Sequence, residues 1–125
     1  MLARKQGVIV NVSSASSRAP SPLLAVHAAS HSFVEQLTKS LSLEYASHGV
    51  SFQCHSPMWI APSGPEAGAK QPTSCFTPDA ETYARHAVAR LGREVVISPY
   101  PPHELMLWLQ VRHPERPAAL PHNLA

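Results

Sequence analysis

Apolar residues fall along this chain in short blocks, and the spacing within each block predicts its element. Gly7-Val-Ile-Val-Asn-Val is a nearly continuous β-branched run closed by Ser13-Ser14, the composition of a strand buried on both faces of a parallel sheet. From about Leu24 to Ala46 the spacing turns helical. Phe33, Val34, Leu37, Leu41 and Tyr45 form one apolar stripe of the kind that faces a core. Gly49 ends that run. Val50-Ser-Phe-Gln-Cys-His is a second strand, stopped by Pro57. Residues 57–76 carry Pro, Gly and Ser in quantity and predict a long irregular loop.

The next helix has the clearest end signals. Thr77 is expected as its N-cap, Pro78 at its first position, and Asp79 against the positive end of its dipole. Ala80, Tyr83, Ala84, Ala87, Val88 and Leu91 recur at helical spacing, and Gly92 supplies the expected C-cap. Val95–Ile97 reads as a third short strand. Pro101-Pro102 leads into a short helix over His103–Leu109, apolar nearly all round. Strand, helix, strand, loop, helix, strand, helix is the order of an α/β fold, a parallel sheet of about three strands with flanking helices. Residues 1–113 are expected to form one domain, and the Pro-rich residues 114–125 a disordered tail.

Composition narrows the function classes. Hydrophobic residues make up 44% of the 125 and charged residues 14%, which suits one modest core. The net charge is +2 and the Lys and Arg residues are scattered, so no basic stripe marks a nucleic-acid partner. Cys54 and Cys75 lie in unlike segments and are read as reduced, buried thiols. No signal peptide and no apolar run near the ~20 residues of a membrane span is visible. Taken alone, the chain reads as a cytoplasmic protein.

The strand ending in Ser13-Ser14 is followed, thirteen residues after Ser14, by a helical position. That arrangement resembles the active-site segment of the short-chain dehydrogenase/reductase family. The words GVIVNVSS, PSPLL and SFVEQLTKSLSLEYASHGVSFQ, with His103-Glu-Leu-Met further on, are similar to the 17β-hydroxysteroid dehydrogenase branch. The branch members meant are types 3 and 12, the latter also a 3-oxoacyl-CoA reductase. The resemblance covers about residues 1–110. It implies a Rossmann-type sheet, NADP(H) as cofactor and reduction of keto groups on steroid or fatty acyl substrates. It also implies attachment to the endoplasmic reticulum membrane. By resemblance Ser14 is the catalytic serine, while Pro57 and Ile60 match the loop that holds the nicotinamide.

Three departures from the family pattern stand out. The Tyr and Lys of its Tyr-x-x-x-Lys motif read His27 and His31 here. A histidine reaches on the order of 2 Å less far than a tyrosine, and misplacement of ~1 Å can cost about a hundredfold in rate. The loop threonine reads Pro62, which has neither hydroxyl nor N–H. No G-x-G-x-x-G turn occurs in the 125 residues, and by resemblance Met1 falls in mid-domain, so the phosphates of the cofactor have no obvious cradle. The chain alone is therefore expected not to bind NADP(H).

Other constellations are weaker. His27 and His31 have metal-ligand spacing, but with no third ligand at a recognised spacing no metal site is expected. Ser14 with His27 lacks the turn and oxyanion signature of a hydrolase. Trp59 and the helix at 103–111 are expected to pack in the core, the alternative being contact with a lipid or membrane surface, and the other six histidines to be surface or satisfied polar positions. The expected function is a truncated, inactive dehydrogenase-like protein. The alternative is a binding or regulatory module that associates, with itself or a full-length reductase, through an exposed first strand. A working reductase using His27 ranks last.

Overall fold

The computed structural model describes residues 1–62 and 72–112. The elements are β1 (Gly7–Val12), α1 (Ala25–Glu44), β2 (Val50–His55), α2 (Ala80–Ala89), β3 (Val96–Ile97) and α3 (Pro101–Arg112). Single turns of 3₁₀-helix stand at Leu2–Arg4, Ala15–Ser17 and Ala46–His48. The strands form one parallel sheet in the order β1-β2-β3, the α/β architecture expected. β1 and β2 run in register from Gly7 beside Val50 to Val12 beside His55. β3 pairs only through Val96 with Cys54 and Ile97 with His55.

Both main strands keep their expected bounds because their limits are local. Gly49 precedes β2 in the left-handed region, φ 67°, where glycine carries no Cβ penalty. A Cβ at Gly49 would also fall against the Lys5 carbonyl, so the turn and the close approach both require glycine.

The core is small and centred on β2. Val50, Phe52, Gln53, Cys54, His55 and Ser56 are buried, together with Ile97 and Leu107. β1 departs from the expectation of burial on both faces: Val8, Val10 and Val12 are exposed, alternating with half-buried neighbours. β1 lies at the edge of the described sheet, and the covered side is met by α1, where Asn11 Nδ2 donates to Thr38 Oγ1 at 2.9 Å. Alternation of side chains across a strand then leaves the valines on the uncovered face.

The face of α1 is also rotated from the expected stripe. Thr38 is fully buried and Val34, Glu35, Leu41 and Tyr45 are half-buried, whereas Phe33 is 66% exposed and Leu37 is exposed. The Asn11–Thr38 hydrogen bond puts a polar residue at the centre of the buried face, and the largest apolar side chains lie beside it. α1 is shorter than expected, ending at Glu44, with Ala46 in the following 3₁₀ turn.

Around α2 the end signals were one residue pair off. Asp79, not Thr77, is the N-cap, its carboxylate accepting from Thr82 N–H at 2.7 Å. Thr77 instead exchanges backbone hydrogen bonds with Ser74. Arg90 is the C-cap, and Gly92, at φ 73°, follows it. The inward face carries Ala80, Tyr83 and Ala87 as expected, but Ala84, Val88 and Leu91 are exposed.

Three further expectations of burial fail. Cys54 is buried but Cys75 is exposed, both free. Trp59 is 64% exposed, and α3, longer than expected, buries only His103 and Leu107 while Leu105, Trp108, Leu109 and Val111 face solvent. With a three-stranded sheet there is too little surface to cover a helix that is apolar all round. The tail at 114–125, and residues 63–71 of the loop, lie outside the described residues.

Candidate functional site

The candidate site grows from the end of β1. The backbone ladder continues past Val12, with Ser13 N–H donating to the His55 carbonyl at 2.7 Å and Ala15 N–H to the Pro57 carbonyl at 2.8 Å. These two bonds set Ser14 beside Pro57. Ser13, itself buried, donates its hydroxyl to the His31 carbonyl at 2.9 Å, which ties the second turn of α1 to the end of the strand. One short stretch of chain thus gathers four of the five positions singled out by resemblance: Ser14, Pro57, His27 and His31.

Their side chains are not arranged as a proton relay. Ser14 caps the following 3₁₀ turn: its Oγ accepts from Ser16 N–H at 3.3 Å and from Ser16 Oγ at 3.0 Å. Among the described hydrogen bonds, none joins Ser14 to either histidine. His27 is exposed, and its ring lies 4.4 Å from that of His31, centroid to centroid, at an interplanar angle of 66°. His31 Nδ1 is buried without a partner. Burial, with a smaller contribution from neighbouring His27, holds the His31 imidazole below its ordinary pKa, so it is neutral at neutral pH. A neutral imidazole has little acidic proton to give a carbonyl, and it supplies no cation toward a ribose.

One turn further along α1, Glu35 accepts from Ser17 Oγ at 2.8 Å and from Lys39 Nζ at 2.7 Å, with Arg18 Nε at 3.7 Å. Burial alone would raise its pKa, but the Lys39 and Ser17 hydrogen bonds and the two cations prevail and hold it low. Beside Arg18 an open cavity of about 480 Å³ is lined by Glu104, Leu107, Trp108, Val111 and Arg112. Ser14, His27 and His31 are not among its lining residues.

The described part of the loop after β2 offers few free donors to the nicotinamide group that the resemblance implies. A nicotinamide amide needs free backbone donors, and two of those in residues 58–61 are engaged within the protein. Met58 N–H donates to His103 Nδ1 at 3.3 Å, and Ala61 N–H donates to the Pro78 carbonyl at 2.9 Å. Pro62 has no N–H to offer, and Ile60 is half-buried. We therefore derive no chemical step through NADP(H).

His103 is the residue that sequence reasoning missed here. It is fully buried, accepts from Met58 through Nδ1, and donates from Nε2 to the Phe76 carbonyl at 3.0 Å. Both bonds together require the neutral Nε2–H tautomer, and burial depresses its pKa, outweighing the bond to the Phe76 carbonyl. His55 is buried as well, with Nε2 unpartnered, so the reading of six surface or satisfied histidines fails for it. Gln53 was equally hidden: buried on β2, it donates to the Arg90 carbonyl at 2.9 Å and accepts from Gly92 N–H at 3.3 Å. Only a polar residue inside an apolar strand hinted at it.

A parallel sheet whose first strand runs out into Ser13-Ser14, with the next helix laid back over it, defines a Rossmann-type α/β domain. The sequence pattern of the short chain dehydrogenase family matches residues 1–70, and the chain belongs to that family. It is 39% identical over 112 residues to a very-long-chain 3-oxoacyl-CoA reductase-like protein of Arabidopsis thaliana, covering 87% of this chain and 36% of that one. It is 35% identical over 115 residues to a Danio rerio protein named inactive hydroxysteroid dehydrogenase-like protein 1, covering 92% and 36%. The chain thus spans about a third of the length of these relatives. Among solved structures, a Comamonas testosteroni alcohol dehydrogenase specific for bulky-bulky ketones superposes with a TM-score of 0.62 at 22% identity. That match covers 98% of this chain and 48% of the other and shows the shared fold. No helix among the described residues is long and apolar enough to cross a membrane.

Proposed function

We propose that this chain is a catalytically silent short-chain dehydrogenase, which does not by itself perform NADP(H)-linked keto–hydroxy interconversion on steroid or fatty acyl substrates. One observation carries the reading: the positions that match the family's Tyr and Lys hold His27 and His31, while the Ser14 oxygen accepts from Ser16 and meets neither ring. Removing a correctly placed proton donor costs ~10²–10⁴-fold, and here both the donor and the cation are replaced. The engaged N–H groups of Met58 and Ala61 support the same reading for the cofactor. A relative named as inactive, at 35% identity, is in keeping with it. The test is a titration of the 125-residue chain with NADPH, followed by nicotinamide fluorescence and calorimetry, alongside a ketone-reduction assay. No binding below millimolar cofactor is expected; micromolar affinity or turnover above the blank overturns the proposal.

A second reading, of a module that associates through β1, is favoured by the exposure of Val8, Val10 and Val12 on an edge strand. A parallel edge with unpaired backbone groups is a template for another strand. Association with a second copy or with a longer relative would cover both the backbone edge and the valine face.

A further inference from the structure

His27 and His31 lie one turn apart on a continuous helix, α1, which is set before any ligand arrives. Residues four apart on a helix project from one face. Neither imidazole has a hydrogen-bond partner among the described residues, and the two rings stand 4.4 Å apart. His27 is exposed and His31 partly so. We infer that His27 and His31 form an open two-imidazole site for a divalent transition-metal ion of tetragonal preference, copper(II) above all.

The ring separation suits a tetragonal ion. With metal–nitrogen bonds of about 2.1 Å, two imidazoles at adjacent tetragonal positions place their centroids roughly 4.5 Å apart, and at tetrahedral positions roughly 5.3 Å apart. The observed 4.4 Å is close to the first separation. Tetragonal nitrogen sites suit Cu²⁺ and Ni²⁺, and affinity rises to Cu²⁺ in the divalent series. The missing third ligand, which argued against a zinc site, is no obstacle here. Among the described residues no group of three or more His, Cys, Asp or Glu could share an ion, so the remaining positions belong to water or to a small exogenous ligand. Glu35, one turn beyond His31, is held by Lys39, Ser17 and Arg18 and is not available. One further feature assists: the Ser13 hydroxyl fixes the His31 carbonyl and hence the turn that carries the second ring.

The test is titration of the whole 125-residue chain with Cu²⁺, Ni²⁺ and Zn²⁺, read by electron paramagnetic resonance for copper and by the thermal transition for all three. One Cu²⁺ per chain with nitrogen couplings from two imidazoles is expected, with Ni²⁺ second and Zn²⁺ weakest. His27→Ala, at an exposed position that folding does not need, should weaken copper binding by more than about tenfold, the loss that even an indirect ligand contact produces. His48→Ala should leave it unchanged. Copper binding that survives His27→Ala with His31→Ala, a spectrum with fewer than two imidazole nitrogens, Zn²⁺ stronger than Ni²⁺, or no copper binding below millimolar concentration would each overturn the inference.

Discussion

The ring of His103 lies between two segments that are far from it in sequence, accepting the Met58 N–H through Nδ1 and donating to the Phe76 carbonyl through Nε2. This one side chain pins the loop after β2 to the segment before α2. Its replacement by leucine should destabilise the fold by about 1–3 kcal/mol, because a buried backbone donor and acceptor are left unmade. Urea denaturation of His103→Leu against the parent chain measures this. A loss below about 0.5 kcal/mol would show that the two bonds contribute little.

The same burial makes stability depend on pH. His31, His55 and His103 all have folded-state pKa values lowered from 6.5, chiefly by burial. Between the folded and unfolded values the unfolded chain binds more protons, so stability is full above pH 6.5 and is lost as pH falls below it. The two buried histidines, His55 and His103, each contribute up to about 1.4 kcal/mol per pH unit within their windows, and the more solvated His31 less. Denaturation midpoints should therefore fall between neutral pH and mildly acid pH, and His103→Leu should flatten that slope. A midpoint independent of pH there would contradict the burial of these rings.

Asn11 and Thr38 join β1 to α1 through a hydrogen bond of 2.9 Å, while the Thr38 hydroxyl donates to the Val34 carbonyl at 2.8 Å. Thr38→Val strands the Asn11 amide and is expected to cost about 1–3 kcal/mol. Asn11→Val added to it should cost less than the sum of the two single changes, since the stranded group is gone. Strict additivity in the double-mutant cycle would mean that the bond does not couple the elements.

Restoring the family residues at the two histidine positions, His27→Tyr with His31→Lys, should yield no ketone-dependent NADPH oxidation in this chain. The donors of Met58 and Ala61 remain engaged, Pro62 remains, and a cofactor that is not held gains nothing from a repaired proton donor. Oxidation above the blank would show that the substituted dyad was the whole defect.

Charging the open edge tests the association reading. The side chain of Val10 points to the exposed face and that of Ile9 to the half-buried one, so Val10→Lys should reduce self-association in sedimentation with little loss of stability. Ile9→Lys should instead unfold the strand. A parent chain that is monomeric at all concentrations would remove the basis for the proposal.

Much of this protein is legible in its sequence. Gly7–Val12 and Val50–His55 are recognisable because β-branched runs end at Gly49 and at Ser13 or Pro57, and those stops act through local sterics. The position thirteen residues after Ser14, with the words around it, identifies the family for the same reason: it is a pattern along the chain. The tertiary structure decided which faces are inside. Phe33 and Leu37 are apolar and at helical spacing, yet Thr38 occupies the buried centre because Asn11, 27 residues away, needs its hydroxyl. His103 is buried because Met58 and Phe76, at separations of 45 and 27 residues, present a free N–H and a free carbonyl to its two nitrogens. Such partnerships leave no periodicity in the sequence. Periodicity reports how a helix or strand repeats, whereas burial depends on what stands opposite it, and that is set only when distant segments meet.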